Sequence, residues 1–262
     1  MEVGVYGLGR FGYFWSELLS RHCTVKAYSR SEERPFPPGV QRVSEDELLA
    51  LPVLILCVSI SSFEEVMTRI AGRLAPGALV MDTCSVKVHP ARVMQRFLPD
   101  GIEILATHPM FGPDSARDGT KGLPMVLCPV RVRPDRVDRW SSLFSSLGLD
   151  VLTMSPEEHD REAAFTQGIT HYVGRVLADL GLSESSMATL GYRKLLEIRA
   201  QTCNDPWQLF LDLQRFNPYT KTMRRRLHDS LFRILSQLEG GQPGDELSGD
   251  ELPGKAQPGG SA

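Results

Sequence analysis

A chain of 262 residues, 42% hydrophobic and 23% charged, has enough length and apolar content for one large core or two smaller ones. Its net charge of -3 excludes a strongly basic surface of the kind that selects nucleic acid or an anionic membrane, and from Glu239 onward five acids stand against one lysine. No apolar run nears the roughly 20 residues of a membrane helix. Cys23, Cys57, Cys84, Cys128 and Cys203 form no C-x-x-C pair, which speaks for free thiols in a reducing, cytoplasmic setting rather than a zinc site or disulfide frame.

Strand-like residues begin at Glu2, so no signal peptide is expected ahead of the fold. Apolar runs at 3–6, 24–28, 53–58, 79–82, 103–106 and 124–127 read as strands, with helical patterns between them at 12–21, 63–73 and 134–147. The run 53–58 is apolar almost throughout, as in a strand buried on both faces of a parallel sheet. The alternation predicts an α/β fold: a doubly wound Rossmann-type N-terminal domain over residues 1–153 with right-handed crossovers. The pattern then changes. Ser155 can cap a helix with Pro156 in its first turn and Glu158 three residues on, and further helices follow at 185–202, 206–216 and 218–239. Residues 154–239 therefore form an all-helical domain. Residues 240–262, rich in Gly, Pro and small polar side chains, read as a disordered tail.

The first motif follows the first strand. Gly7-Leu8-Gly9-Arg10-Phe11-Gly12 is a G-x-G-x-x-G between strand and helix, where glycines permit the tight turn, the approach to a pyrophosphate and close helix packing. A chain that binds NAD usually ends its second strand in Asp or Glu to meet the ribose 2′-hydroxyl. Here the strand ends Tyr28-Ser29-Arg30-Ser31. Arg30 can neutralise a 2′-phosphate while Ser29 and Ser31 donate hydrogen bonds, so NADP is expected, with NAD as the alternative if Arg30 is a solvated loop charge. Ser59, at the end of the strand at 53–58, is counted with the cofactor residues.

Ser85 lies just past the strand at 79–82 and His108 just past that at 103–106. Ligands in doubly wound folds bind beyond the carboxyl ends of the strands, which puts both side chains beside the nicotinamide. A neutral imidazole there can take a proton from a hydroxyl under oxidation. Ser85 either orients that chemistry or caps the next helix. Lys87 either approaches the cofactor or is a surface lysine.

Four blocks in order, Asp82–Lys87, His108–Ser115 with Gly122-Leu123-Pro124, Met154–Asp160, and Gln167-Gly168-Ile169-Thr170-His171, resemble the prephenate and arogenate dehydrogenases of tyrosine biosynthesis. The resemblance spans about residues 1–235 and is closest to the plant-type arogenate enzymes. It implies oxidative decarboxylation of a cyclohexadienol, no metal, and a helical domain that makes a homodimer. His108 would be the base, with Ser85 orienting the hydroxyl or the imidazole. His171 would face the substrate, or else pack at the dimer interface. His159 and Asp160 are read as ordering the start of their helix. Arg193 resembles the arginine that holds the side-chain carboxylate in prephenate-using members, where plant-type sequences more often carry an acid. On that residue prephenate is the expected substrate and arogenate the alternative, with an amide at Gln201 nearby. A β-hydroxyacid dehydrogenase would need a catalytic lysine in the stretch 156–180, which has none. The reading from another class is a non-catalytic NADP-binding scaffold.

Overall fold

The computed structural model describes residues 1–31 and 33–239. Its strands are β1 (Glu2–Tyr6), β2 (Thr24–Tyr28), β3 (Val40–Arg42), β4 (Val53–Leu56), β5 (Leu79–Asp82), β6 (Glu103–Pro109), β7 (Pro124–Arg131) and β8 (Asp150–Thr153). They share one sheet in the order β3-β2-β1-β4-β5-β6-β7-β8. Pairing is parallel from β3 to β6, as the alternating pattern requires. The β6–β7 pair is antiparallel and β8 is again parallel to β7. This reversed edge interrupts the right-handed crossovers expected through residues 1–153. The Gly- and Pro-rich segment after β6 supplies no crossover helix, and without one a strand can only return antiparallel.

The helices are α1 (Arg10–Ser20), α2 (Glu45–Leu49), α3 (Phe63–Ile70), α4 (Val88–Phe97), α5 (Pro134–Ser146), α6 (Pro156–Ala163), α7 (Ile169–Asp179), α8 (Leu190–Cys203), α9 (Trp207–Phe216) and α10 (Thr220–Glu239). Two cores sandwich the sheet. Leu54 and Leu56 of β4 point with Val80 and Ile104 into the layer filled by Phe63, Met67 and Met94. Val53 and Ile55 point the other way, with Met81, onto Trp15, Trp140 and Phe144. Side chains alternate along a strand, so a strand covered on both faces must be apolar at every position; β4 is buried at all four.

The order reverses between β1 and β4, and the crevice at that switch point, beyond the strand ends, is where a doubly wound fold binds its ligand. The last strand ends at Thr153 and only helices follow from Pro156 among the described residues, where Ser155 and Glu158 form the expected capping box. The chain then makes one π-type turn, Ala164–Gly168, before α7. The body Met1–Met223 packs as one unit, so this change of element type is no break in packing. In the second unit, which begins at Arg224, α10 exposes Leu231, Phe232, Ile234, Leu235 and Leu238. The tail expected at 240–262 lies outside the described residues.

Candidate active site

The glycine-rich turn is built by backbone. Gly7 has φ +100, and a β-carbon there would fall 2.6 Å from the Cys57 carbonyl oxygen. At Gly12 a β-carbon would fall 2.0 Å from the Gly7 carbonyl oxygen, so helix α1 can start this close to β1 only without a side chain. Gly9 faces open space and is the N-cap of α1 with no side chain closing it, which leaves the first amides of the helix to an anion. The adjoining cleft, ≈ 350 Å³, is lined at its far end by Tyr28, Ser29, Arg30, Ser31 and Arg34. No acid is among the described residues that line it. The set suits the diphosphate and ribose of a dinucleotide. Ser59, at the start of the turn Ile60–Ser62, lines the cleft and hydrogen-bonds to the Ser62 hydroxyl at 2.6 Å.

A second cleft, ≈ 590 Å³, meets the first at Gly9, Cys57, Val58 and Ser59. Into it come Ser85, His108, Thr170, His171 and Gln201. Its charged lining is Arg10, Asp114 and Asp205. The Arg10 guanidinium is ion-paired with Asp114 and stands 3.5 Å from Asp205, and Asn204 donates to Asp114 at 2.6 Å.

His108 is 2% exposed. It lies inside β6, opposite Val126 of β7, not beyond the strand as expected, because the antiparallel ladder carries β6 on to Pro109. Its Nδ1 is 2.8 Å from Nε2 of His159, and His159 Nδ1 is 2.8 Å from Oδ1 of Asp160. Asp160 accepts the Lys87 amide at 2.6 Å and the Val88 amide at 2.9 Å, and so caps α4 from α6. With Nδ1 engaged, Nε2 is the nitrogen His108 has left for a ligand. Burial, with His159, Lys87 and His171 nearby, holds its imidazole well below the ordinary value of 6.5 and therefore neutral.

Beneath this row lies a buried ion pair. Lys87 is fully buried, with its ammonium donating to Asp82 and to the Thr107 carbonyl. Asp82 also accepts the Thr107 amide at 3.1 Å and the Cys84 amide at 3.0 Å. The pair ties the end of β5 to the strand that carries His108. Lys87 is thus neither a surface lysine nor a cofactor contact.

The structure brings Ser85, His108 and His171 to one cleft. Ser85 makes no hydrogen bond to His108 and does not cap α4, whose N-cap is Lys87. His171 is largely buried, its Nδ1 without a partner, and burial lowers its pKa. Leu8 is a core residue whose position borders the first cleft, and Phe11 packs on Phe14 and Trp15 while bordering the second. Arg193 does not line the cleft; it is exposed on α8, because the side of that helix turned to the cleft carries Gln201 and Thr202 instead. Sequence reasoning missed Arg34, which donates to the Leu8 carbonyl at 2.6 Å, and gave His159 and Asp160 only a local helix role. Their partners lie 51 and 72 residues away, beyond any spacing motif.

A family model described as "Prephenate dehydrogenase, nucleotide-binding domain" matches residues 39–152, and one described as "TYRAAT1-like, C-terminal domain" matches residues 176–249. Arogenate dehydrogenase 2, chloroplastic, of Arabidopsis thaliana is 34% identical over 252 residues, which cover 92% of this chain and 70% of that protein. The chain belongs to the prephenate/arogenate dehydrogenase family. Arogenate dehydrogenase 1, chloroplastic, of the same plant is 35% identical over 92% of this chain, but the chain spans only 39% of that relative's length. The crystal structure of prephenate dehydrogenase from A. aeolicus, in complex with hydroxyphenyl propionate and NAD+, shares the fold with a TM-score of 0.67, covering 92% of each chain at 17% identity. No described helix of this family member is long and apolar enough to cross a membrane.

Proposed function

We propose that the chain is an NADP-dependent dehydrogenase that oxidises the ring hydroxyl of a cyclohexadienol, with loss of the ring carboxylate as carbon dioxide. The observation that carries this reading is a neutral, buried His108 whose free ring nitrogen serves a cleft joined to the glycine-rich turn. When bound, the oxidised dinucleotide supplies the hydride acceptor. The amides at the start of α1 hold its diphosphate, and Arg30, Ser29, Ser31 and Arg34 receive the 2′-phosphate. His108 takes the hydroxyl proton at Nε2, and Ser85 and His171 orient the ring.

For the substrate, arogenate is preferred to prephenate. Arg193 stands outside the cleft and gives the keto acid no support. Asp114 and Asp205 outnumber Arg10 in the lining, which favours a substrate carrying an ammonium. The two plant relatives named above act, by their names, on arogenate. A homodimer is proposed from the helical segments, where Val176, Leu180, Leu190 and Leu195 are exposed. The free thiols of all five cysteines support a cytoplasmic setting.

Steady-state rates with arogenate and prephenate, each with NADP and NAD, test the proposal. The expected result is the highest kcat/KM for arogenate with NADP. Turnover confined to prephenate, or a clear preference for NAD, overturns the corresponding half. No turnover with either substrate, while NADP still binds, favours a non-catalytic scaffold.

A further inference from the structure

The hydrogen bonds behind His108 have a direction, and it is set at the far end. Asp160 receives two backbone amides, which can only donate: Lys87 on Oδ1 and Val88 on Oδ2. Both carboxylate oxygens are therefore acceptors, and His159 Nδ1, 2.8 Å from Oδ1, is the donor to them. With the proton of the His159 ring on Nδ1, its Nε2 presents a lone pair, and 2.8 Å away stands His108 Nδ1. All three side chains are buried, His159 at 2% exposure and Asp160 at 0%, so water does not compete for these bonds.

We propose that His159 and Asp160 are positioning residues that hold His108 with its proton on Nδ1, so that Nε2 offers a lone pair to the substrate hydroxyl. The inference rests on the proposed function and deepens it. In the reaction the substrate O–H bond breaks and an N–H bond forms at His108 Nε2. The hydride leaving the hydroxyl-bearing carbon would go to the oxidised dinucleotide as the C=O bond forms. The ring carboxylate then leaves as carbon dioxide, the electrons of its C–C bond completing the aromatic ring, and the proton returns from His108 Nε2 to the oxygen. The positive charge gained by His108 is met, through the His159 ring, by the Asp160 carboxylate. The arrangement also couples two parts of the body: Asp160 caps α4 while Asn217, beyond α9, donates to the Asp160 carbonyl at 2.7 Å. The charged or titratable groups around His108 are Lys87 ahead of α4, Asp82 on β5, His159 and Asp160 on α6, and His171 on α7.

Nitrogen-15 NMR of histidine-labelled wild-type protein reads the tautomer directly and needs no substitution. Assignment comes from the loss of one ring's signals in His108→Asn. The expected result at pH 7.5 is a protonated Nδ1 and a bare Nε2 on His108; a proton on Nε2 overturns the proposal. Kinetics give a second arm. His159→Leu, which removes the acceptor, should lower kcat about 10²–10³-fold with KM changed less than about threefold. His159→Gln, whose amide can accept from His108 and donate to Asp160, should recover to within about tenfold of wild type. Equal losses in the two variants, or a His159→Leu enzyme within about twofold of wild type, overturn the proposal. A wild-type protein that turns over neither substrate would end the functional reading, and the NMR result would still decide the tautomer.

Discussion

The two ends of the active-site crevice are built by different means. The dinucleotide end is made of backbone: Gly7, Gly9 and Gly12 lie close together in the chain, Gly7 and Gly12 leaving out side chains where the Cys57 and Gly7 carbonyls come close, and Gly9 leaving the start of α1 open. The other end, proposed above to hold the base, is made of side chains from β5, the turn before α4, β6 and α6, held by Asp82–Lys87 below and His159–Asp160 behind. A backbone cradle is specified by residues adjacent in sequence, so it shows as a motif. A buried polar network is specified by which strands and helices become neighbours, and no spacing records it. The network is also the more exposed to single changes, since each buried polar group left without its partner carries its full desolvation cost.

That contrast can be broken by substitution. Lys87→Met should cost the most, because it strands the buried Asp82 carboxylate: a loss of about 3–5 kcal/mol is expected in urea unfolding. If the loss is under about 1 kcal/mol, the pair is not what holds the base end together. Gly12→Ala at the cradle should cost less, about 1–3 kcal/mol, as α1 shifts to relieve the contact with the Gly7 carbonyl. Its signature should be weaker dinucleotide binding in a fluorescence titration, with the base end undisturbed. Unchanged affinity would show that the close approach is dispensable.

The smallest effect should come from acid. Burial lowers the pKa of His108, His171 and His89 in the folded protein, from an ordinary 6.5. Below pH 6.5 the unfolded chain takes up protons that the folded chain refuses, so unfolding gains protons and stability falls as pH drops through that value. Above 6.5 this contribution is fully present. Denaturant midpoints at pH 7.5 and 5.5 should show the decline, and His108→Asn should lessen it. A midpoint that rises on acidification would mean these rings are protonated when folded.

Much of the fold was legible because period and burial agree. The runs at 24–28 and 79–82 coincide with β2 and β5, and the alternating faces of β4 explain its unbroken apolar character. The capping box at Ser155 and Glu158 formed as the pattern required. The antiparallel edge was not legible, since strand direction depends on the connection and not on the strand. Nor was β3, whose three residues carry too little pattern to distinguish from a loop. At the site, Ser85, His108 and His171 could be placed in one crevice from strand ends and family blocks. Arg193 could not be excluded from it, because which side of α8 faces the cleft is decided by packing.

By itself the sequence determined the nucleotide turn, the order of strands and helices through most of the first 153 residues, and the histidine at the crevice. These depend on local steric and burial rules that act within a few residues. Only the tertiary structure decided that Lys87 is a buried tie, that His159 and Asp160 stand behind His108, and that the cleft presents Asp205 rather than Arg193. Those facts arise from contacts made once the sheet and the helices have packed, where a low-dielectric interior turns distant polar residues into obligatory partners.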